Sequence, residues 1–255
     1  MLFDTRLFVG IDPAGGRKPF TWAAFDKNGR LAVLQEGEAE EALAFLAGLP
    51  SALVAVNAPP RPAQGVVSRQ LRLQELPTLR MSVRSADMRL AEYLLRERGM
   101  SISTTPSRRD LCAPWVQMGF AFYERLAALG FQPYPAREGG HAWLETHPHA
   151  VFCALLGQMP LPRPTIEGRL QRQLILYEQG LSIRDPMEYF EELTRHKLLK
   201  GLLPLEQVYT PEQLDALAAA TTAWLISRYP ERSLRLGDPQ EGEIILPVAE
   251  LKTKY

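Results

Sequence analysis

Short apolar runs separated by turn residues fill the first 57 positions of the chain. Leu7-Phe8-Val9-Gly10-Ile11 is the kind of run buried in a central strand, and Phe20-Thr21-Trp22-Ala23-Ala24-Phe25 predicts a second strand. Asn28-Gly29 favours a two-residue type I′ turn into Leu31-Ala32-Val33-Leu34. Glu38 to Leu46 has helical spacing and is stopped by Gly48-Leu49-Pro50. Leu53-Val54-Ala55-Val56 is another buried strand, ended by Asn57-Ala58-Pro59-Pro60. Three strands in an antiparallel meander, a helix and a fourth strand predict an α/β chain with a mixed central sheet flanked by helices.

The pattern then changes to helical spacing. Ser85 is placed to cap a helix running to about Arg98, and Ala113 to Leu129 is apolar at helical period, with Gly130 after it. Ala142-Trp143-Leu144-Glu145 predicts a strand, and Pro148 sits well at the first position of a helix through Leu156. Ile166 to Glu178 and Pro186 to Leu199 predict two more helices. Thr210-Pro211 opens the last long one, which reaches about Tyr229, and Ile244-Ile245-Leu246 predicts a terminal strand.

Composition changes this picture only in part. With 255 residues, 46% of them hydrophobic, the chain can bury a sizeable core as one large domain or one domain with a generous insertion. No apolar run approaches the roughly 20 residues of a bilayer span, and Met1 to Arg6 lacks the apolar core of a signal peptide. The expectation is a soluble cytoplasmic protein with no membrane partner. Cys112 and Cys153 have neither disulfide-framework nor zinc-ligand spacing. Net charge is zero, yet Arg61 to Arg109 contains ten Arg, no Lys and four acids. That stretch is either an Arg patch suited to phosphate or a set of ordinary solvated helix faces.

The chemistry-bearing residues stand at element ends. Asp12 follows the first strand, Asn57 the fourth, Glu145 closes a later strand, and Asp215 lies near the start of the long C-terminal helix. Parallel strands place sites beyond their carboxyl ends, and hard oxygen ligands of this kind hold Mg²⁺ or Mn²⁺. Taken singly, each has a structural alternative, such as a turn aspartate before Pro13 or a first-turn acid favoured by the helix dipole. His147 and His149 flank Pro148, a spacing that favours a hydrogen-bonded partner of Glu145 over a transition-metal site. Gly15-Gly16-Arg17-Lys18 is a phosphate-cradle candidate without the full nucleotide-loop pattern. Arg169 and Arg172 share a helix with Glu167, as an intrahelical ion pair or a phosphate clamp. Trp22, Trp115, Trp143 and Trp224 fall in apolar stretches and are assigned to core packing.

Several stretches resemble, in order, the family called domain of unknown function 429, whose members are described as predicted nucleases of the RNase H-like fold. They include Val9-Gly10-Ile11-Asp12, Val54-Ala55-Val56-Asn57-Ala58-Pro59, Leu144-Glu145-Thr146-His147-Pro148 and Leu214-Asp215-Ala216-Leu217-Ala218-Ala219-Ala220, with Gly237-Asp238 further on. The resemblance implies an RNase H-like domain over residues 1–255 with a helical Arg-rich insertion at about 61–135. It implies metal-binding acids at Asp12, Glu145 and Asp215, a Mg²⁺ or Mn²⁺ cofactor, and nucleic acid as substrate. The family position after the fourth strand is usually Asp, and here it is Asn57, expected to complete the metal shell through its amide oxygen while removing one charge from the set. Arg17, Arg61, Arg84, Arg169 and Arg172 are the candidates for holding the substrate backbone. Two rival functions follow from the same residues: a catalytically impaired binder of nucleic acid or a protein partner, and an actin-like nucleotide phosphotransferase.

Overall fold

The computed structural model describes residues 6–13, 18–73, 87–136 and 140–255. The first strands follow the hydrophobic runs closely: β1 (Leu7–Asp12), β2 (Phe20–Phe25) and β3 (Leu31–Gly37) form an antiparallel meander, α1 (Ala39–Ala47) follows, and β4 (Ala52–Val56) pairs with β1 in parallel. The β2–β3 turn differs from the expected two-residue loop. Gly29 N–H donates to the Asp26 carbonyl and Asp26 N–H to the Arg30 carbonyl, so Lys27 and Asn28 are central and Gly29, at φ +76°, takes the bulge position. Asp26 Oδ1 accepts from the N–H groups of Asn28 and Arg30, which stabilises this longer loop.

Three helices follow: α2 (Val66–Arg72), α3 (Leu90–Glu97) and α4 (Pro114–Ala128). Helix α3 begins at Leu90 with Arg89 in extended geometry as its N-cap, later than expected; the expected cap Ser85 itself lies outside the described residues. Next come β5 (Gln132–Pro133), β6 (Ala142–Glu145), α5 (Pro148–Leu156) and α6 (Ile166–Tyr177). The single helix expected over 186–199 is two short ones, α7 (Glu188–Glu192) and α8 (Arg195–Leu199). Leu193 leaves helical geometry there, and Thr194 Oγ1 accepts from Lys197 N–H to start a new helix. Finally α9 (Pro211–Arg228) precedes the hairpin of β7 (Leu234–Asp238) and β8 (Gly242–Leu246). Three of these elements, α2, β5 and β7, have too little periodicity to be read from sequence.

All eight strands form one sheet in the order β3-β2-β1-β4-β6-β8-β7, with β5 also pairing β6. The strands β1, β4, β6 and β8 run parallel, so β1, β4 and β6 deliver their carboxyl ends to one rim. This mixed sheet, meander first and parallel strands after, flanked by helices, is consistent with the RNase H-like fold. Among the described residues no helix is long and apolar enough to cross a membrane.

Each face of the sheet has its own core. Val9, Ile11, Val54 and Val56 pack with α1 and α4, whereas Phe8, Leu53, Ala55 and Leu144 pack with α5 and α9. The closest element contact is α9 on β1. A Cβ at Gly10 would overlap the Ala216 carbonyl oxygen and the Ala220 amide nitrogen, so a side chain there cannot coexist with this approach. The run Ala218-Ala219-Ala220 on α9 serves the same end. Thr210 fixes the start of that helix: its Oγ1 accepts from Gln213 N–H, Gln213 Oε1 accepts from Thr210 N–H, and Pro211 occupies the first turn.

Candidate active-site cleft

Register decides which end-of-strand residues meet. Ile11, Val56 and Glu145 stand in one row across β1, β4 and β6. The next row is Asp12, Asn57 and Thr146, tied by Asn57 N–H to the Ile11 carbonyl at 2.8 Å and Thr146 N–H to the Val56 carbonyl at 3.0 Å. Side chains alternate faces along a strand, so Asp12 and Asn57 project on the Gly10 face, beneath α9. Asp215, one turn into α9, comes down onto the same place.

These three residues line one cleft of about 380 Å³ together with Lys18, Ser103, Trp115, His147, His149, Arg163, Arg172 and Glu212. Asp12 is buried, at 6% exposure. Its Oδ1 accepts from Asn57 Nδ2 at 2.9 Å; a carboxylate only accepts, so the amide presents its nitrogen. Burial, and next the Asp215 carboxylate, push Asp12 up to about 7, against the lowering hydrogen bond from Asn57. Asp215 is also raised, by burial, although Arg163 Nε and Nη2 both donate to its Oδ2, at 3.0 and 2.7 Å. Thr21 is the cross-strand partner of Asp12, and its buried hydroxyl finds no hydrogen-bond partner among the described residues. At the mouth, Lys18 Nζ donates to Glu212 Oε1 at 2.7 Å.

Glu145 does not join this group, which corrects the expectation of three acids in one shell. It lies one row short of Asp12 and lines a small pocket beside the cleft, with Asn57, Ser103, Trp115 and His147, rather than the cleft itself. There both of its oxygens accept from the Arg89 guanidinium, Nη1 to Oε2 at 2.9 Å and Nη2 to Oε1. Glu92 shares the same arginine through Nε at 3.2 Å. Burial pushes Glu145 up to about 7, with Arg89 opposing. Among the described residues, no three His, Cys, Asp or Glu side chains stand together as a metal-binding group.

The expected substrate arginines divide. Arg172 lines the cleft, but its Nη1 is held by the Leu161 and Gly168 carbonyls at 2.7 and 2.9 Å. Arg169 donates to the Tyr209 and Val208 carbonyls and so joins α6 to the start of α9. Neither pairs with Glu167 in the described ion pairs. Arg61 is elsewhere, beside Glu145 and Trp143 in a second pocket, donating to the Gln240 carbonyl. Arg17 and Arg84 lie outside the described residues. His147 is the N-cap of α5, with Nδ1 accepting from Ala150 N–H at 3.4 Å; burial, then His149, lower it to about 4. It hydrogen-bonds within its own helix instead of to Glu145.

Sequence reasoning missed Arg163 and Glu212 as site residues, and noted Lys18 only as the last residue of the Gly15–Lys18 cradle candidate. Trp115, assigned to the core, is only half-buried and forms part of the cleft wall.

The residues present fit one hard divalent cation better than two. Asp12 and Asp215 supply two mutually repelling carboxylates, and Thr21, the cross-strand neighbour of Asp12, has a buried hydroxyl without a partner among the described residues. Mg²⁺ is commonly bound through one or two carboxylates, with water and substrate completing its shell. A second ion would need the carboxylate that Arg89 already holds.

A mixed sheet carrying a buried acid at the end of β1 and another on the helix laid across it defines an α/β architecture consistent with the RNase H-like fold. Residues 10–241 match the family described as "Protein of unknown function (DUF429)", and the chain belongs to that family. Searches of the curated proteins and of the solved structures gave no match.

Proposed function

We propose that the chain is a hydrolase of phosphodiester bonds in nucleic acid, working with one Mg²⁺ or Mn²⁺ ion at Asp12 and Asp215. The observation that carries this reading is the convergence of two carboxylates, delivered by β1 and α9, on one open cleft flanked by Lys18, Arg163 and Arg172. Bound there, the ion supplies a Lewis acid for the phosphoryl oxygen and lowers the pKa of water. Asn57 orients the Asp12 carboxylate through its amide hydrogen bond. Arg163 and Lys18 place positive charge at the mouth, where a phosphate competes with Asp215 and Glu212 for them. Trp115 offers a face on which a base stacks. The cleft has the volume of an ordinary small-ligand site, which suits a chain end or a single-stranded segment.

The test is incubation of the protein with single-stranded, hybrid and branched DNA and RNA in Mg²⁺, in Mn²⁺ and in chelator. Cleavage is expected with either ion, and loss of cleavage in chelator and in the Asp12→Asn and Asp215→Asn variants. A panel left intact with both ions overturns the proposal.

A second reading, a descendant that binds nucleic acid without cutting it, is favoured by one observation. The site's negative charge is answered from within the protein, Arg163 on Asp215 and Lys18 on Glu212. In that case oligonucleotide binding survives chelator unchanged, and Asn57→Asp leaves it unaltered.

A further inference from the structure

A ring nitrogen and a thioether sulfur both lie against the Cys153 thiol, and of these three residues His149 is the one on the cleft wall. His149 and Cys153 are four residues apart on α5 and so share one of its faces. His149 Nε2 lies 3.8 Å from Cys153 Sγ. The helix ends at Leu156, where Gly157, at φ +75°, reverses the chain and donates its N–H to the Cys153 carbonyl at 2.8 Å. That reversal returns Met159 onto the helix it has just left, with Sδ 3.6 Å from Cys153 Sγ.

Cys153 is therefore the common vertex of a sulfur–nitrogen and a sulfur–sulfur spacing. Around one d¹⁰ ion, with metal–sulfur bonds of about 2.3 Å and metal–nitrogen bonds of about 2.0 Å, donors at tetrahedral to trigonal angles stand roughly 3.5–4.0 Å apart. Both spacings fall within that range. The donor chemistry narrows the ion further. Thiolate with thioether selects copper(I), whereas carboxylate and water suit Mg²⁺ and zinc sites rarely use methionine. Access is also provided for: Cys153 is fully buried, but Met159 is 37% exposed and His149 lines the cleft. An unbranched thioether at the surface is able to swing aside and return.

We propose that His149, Cys153 and Met159 form a copper(I) site. On binding, the Cys153 thiol gives its proton to solvent and the sulfur lone pair forms the copper–sulfur bond. The metal stays in the +1 state, and the thiolate charge cancels that of the ion. His149 Nε2 and Met159 Sδ bind as neutral donors. The site does not depend on the nuclease reading, because it uses none of Asp12, Asn57 or Asp215.

The experiment is an anaerobic titration of the whole protein with copper(I), held by a chromogenic chelator that competes for it. The wild type is expected to withdraw one equivalent and to gain a near-ultraviolet sulfur-to-copper band. Cys112→Ser keeps both signals and Cys153→Ala loses both. Met159→Leu, a surface change that leaves the fold intact by circular dichroism, weakens uptake by about tenfold or more, as loss of even a secondary partner does at metal sites. Three results overturn the proposal: no withdrawal by the wild type, withdrawal unchanged in Cys153→Ala and Met159→Leu, or preference of the same residues for Zn²⁺ over copper(I).

Discussion

Replacing Asp12 by Asn removes the acid at the centre of the cleft, and the structure says what this does to stability as well as to activity. Asp12 has an ordinary value of 3.8 and is pushed up to about 7, by burial first and by Asp215 next. Each pH unit corresponds to about 1.36 kcal/mol, so ionising Asp12 in the folded chain costs about 4 kcal/mol. A carboxyl raised on folding contributes stability that is full below its unfolded value and is lost as pH rises through its folded value. Wild-type stability therefore falls between about pH 4 and about pH 7 on account of this group. Asn cannot ionise, and its amide oxygen still accepts from Asn57 Nδ2. In metal-free buffer Asp12→Asn should be more stable than wild type by about 2–4 kcal/mol at pH 8, and equal to it within about 1 kcal/mol at pH 4. Urea unfolding at half-unit pH steps measures this, provided both proteins share one slope against denaturant. Mg²⁺ should then raise the wild-type midpoint and leave the variant where it was, since only a chain that binds the ion gains from it. A variant less stable than wild type at pH 8, or a difference that does not change with pH, refutes the reasoning.

Arg89→Met strips the only described cation from Glu145 and Glu92 in a buried setting, and should cost about 3–5 kcal/mol in denaturant unfolding; a loss under 1 kcal/mol would mean that both acids are protonated beforehand. Gly10→Ala forces α9 off β1 and should destabilise by about 3 kcal/mol or more, with cleavage lost in whatever fraction stays folded; a near-neutral melting shift would contradict the close approach. Arg163→Gln frees Asp215 from its guanidinium, so Mn²⁺ binding read by electron paramagnetic resonance should tighten about tenfold, or ~1.4 kcal/mol. Unchanged or weaker binding would show that the arginine does not compete with the ion.

The strands and the long helices were legible because their signals are local. Apolar runs gave β1, β2, β4 and β6 to within a residue, and Thr210-Pro211 marked the start of α9. What failed was parity. Glu145 and Asp12 both close parallel strands, and end-of-strand position alone treats them alike. The register, which aligns Glu145 with Val56 and Val56 with Ile11, is set by tertiary pairing and leaves Glu145 one row short of Asp12. Arg89 stands in the sequence only as one of the ten arginines between Arg61 and Arg109. Its partnership with Glu145 spans 56 positions and leaves no periodic trace. Arg163 and Met159 were invisible for a related reason: each reaches its partner from an irregular segment between α5 and α6. Thr194 shows the reverse case, a local cap that outweighed an unbroken helical period over 186–199.

The seam between Gly10 and the alanines of α9 separates two kinds of inheritance. Asp12 and Asp215 each have an amide of the same shape, Asn, that removes the charge while keeping the side-chain volume. Gly10 has no such freedom, because any side chain there runs into the α9 backbone at Ala216 and Ala220 and lifts the helix from the sheet. Lineages that abandon the chemistry should therefore keep the seam long after the acids have drifted. Gly10 is the marker of descent, and Asp12, two residues later, is the marker of use.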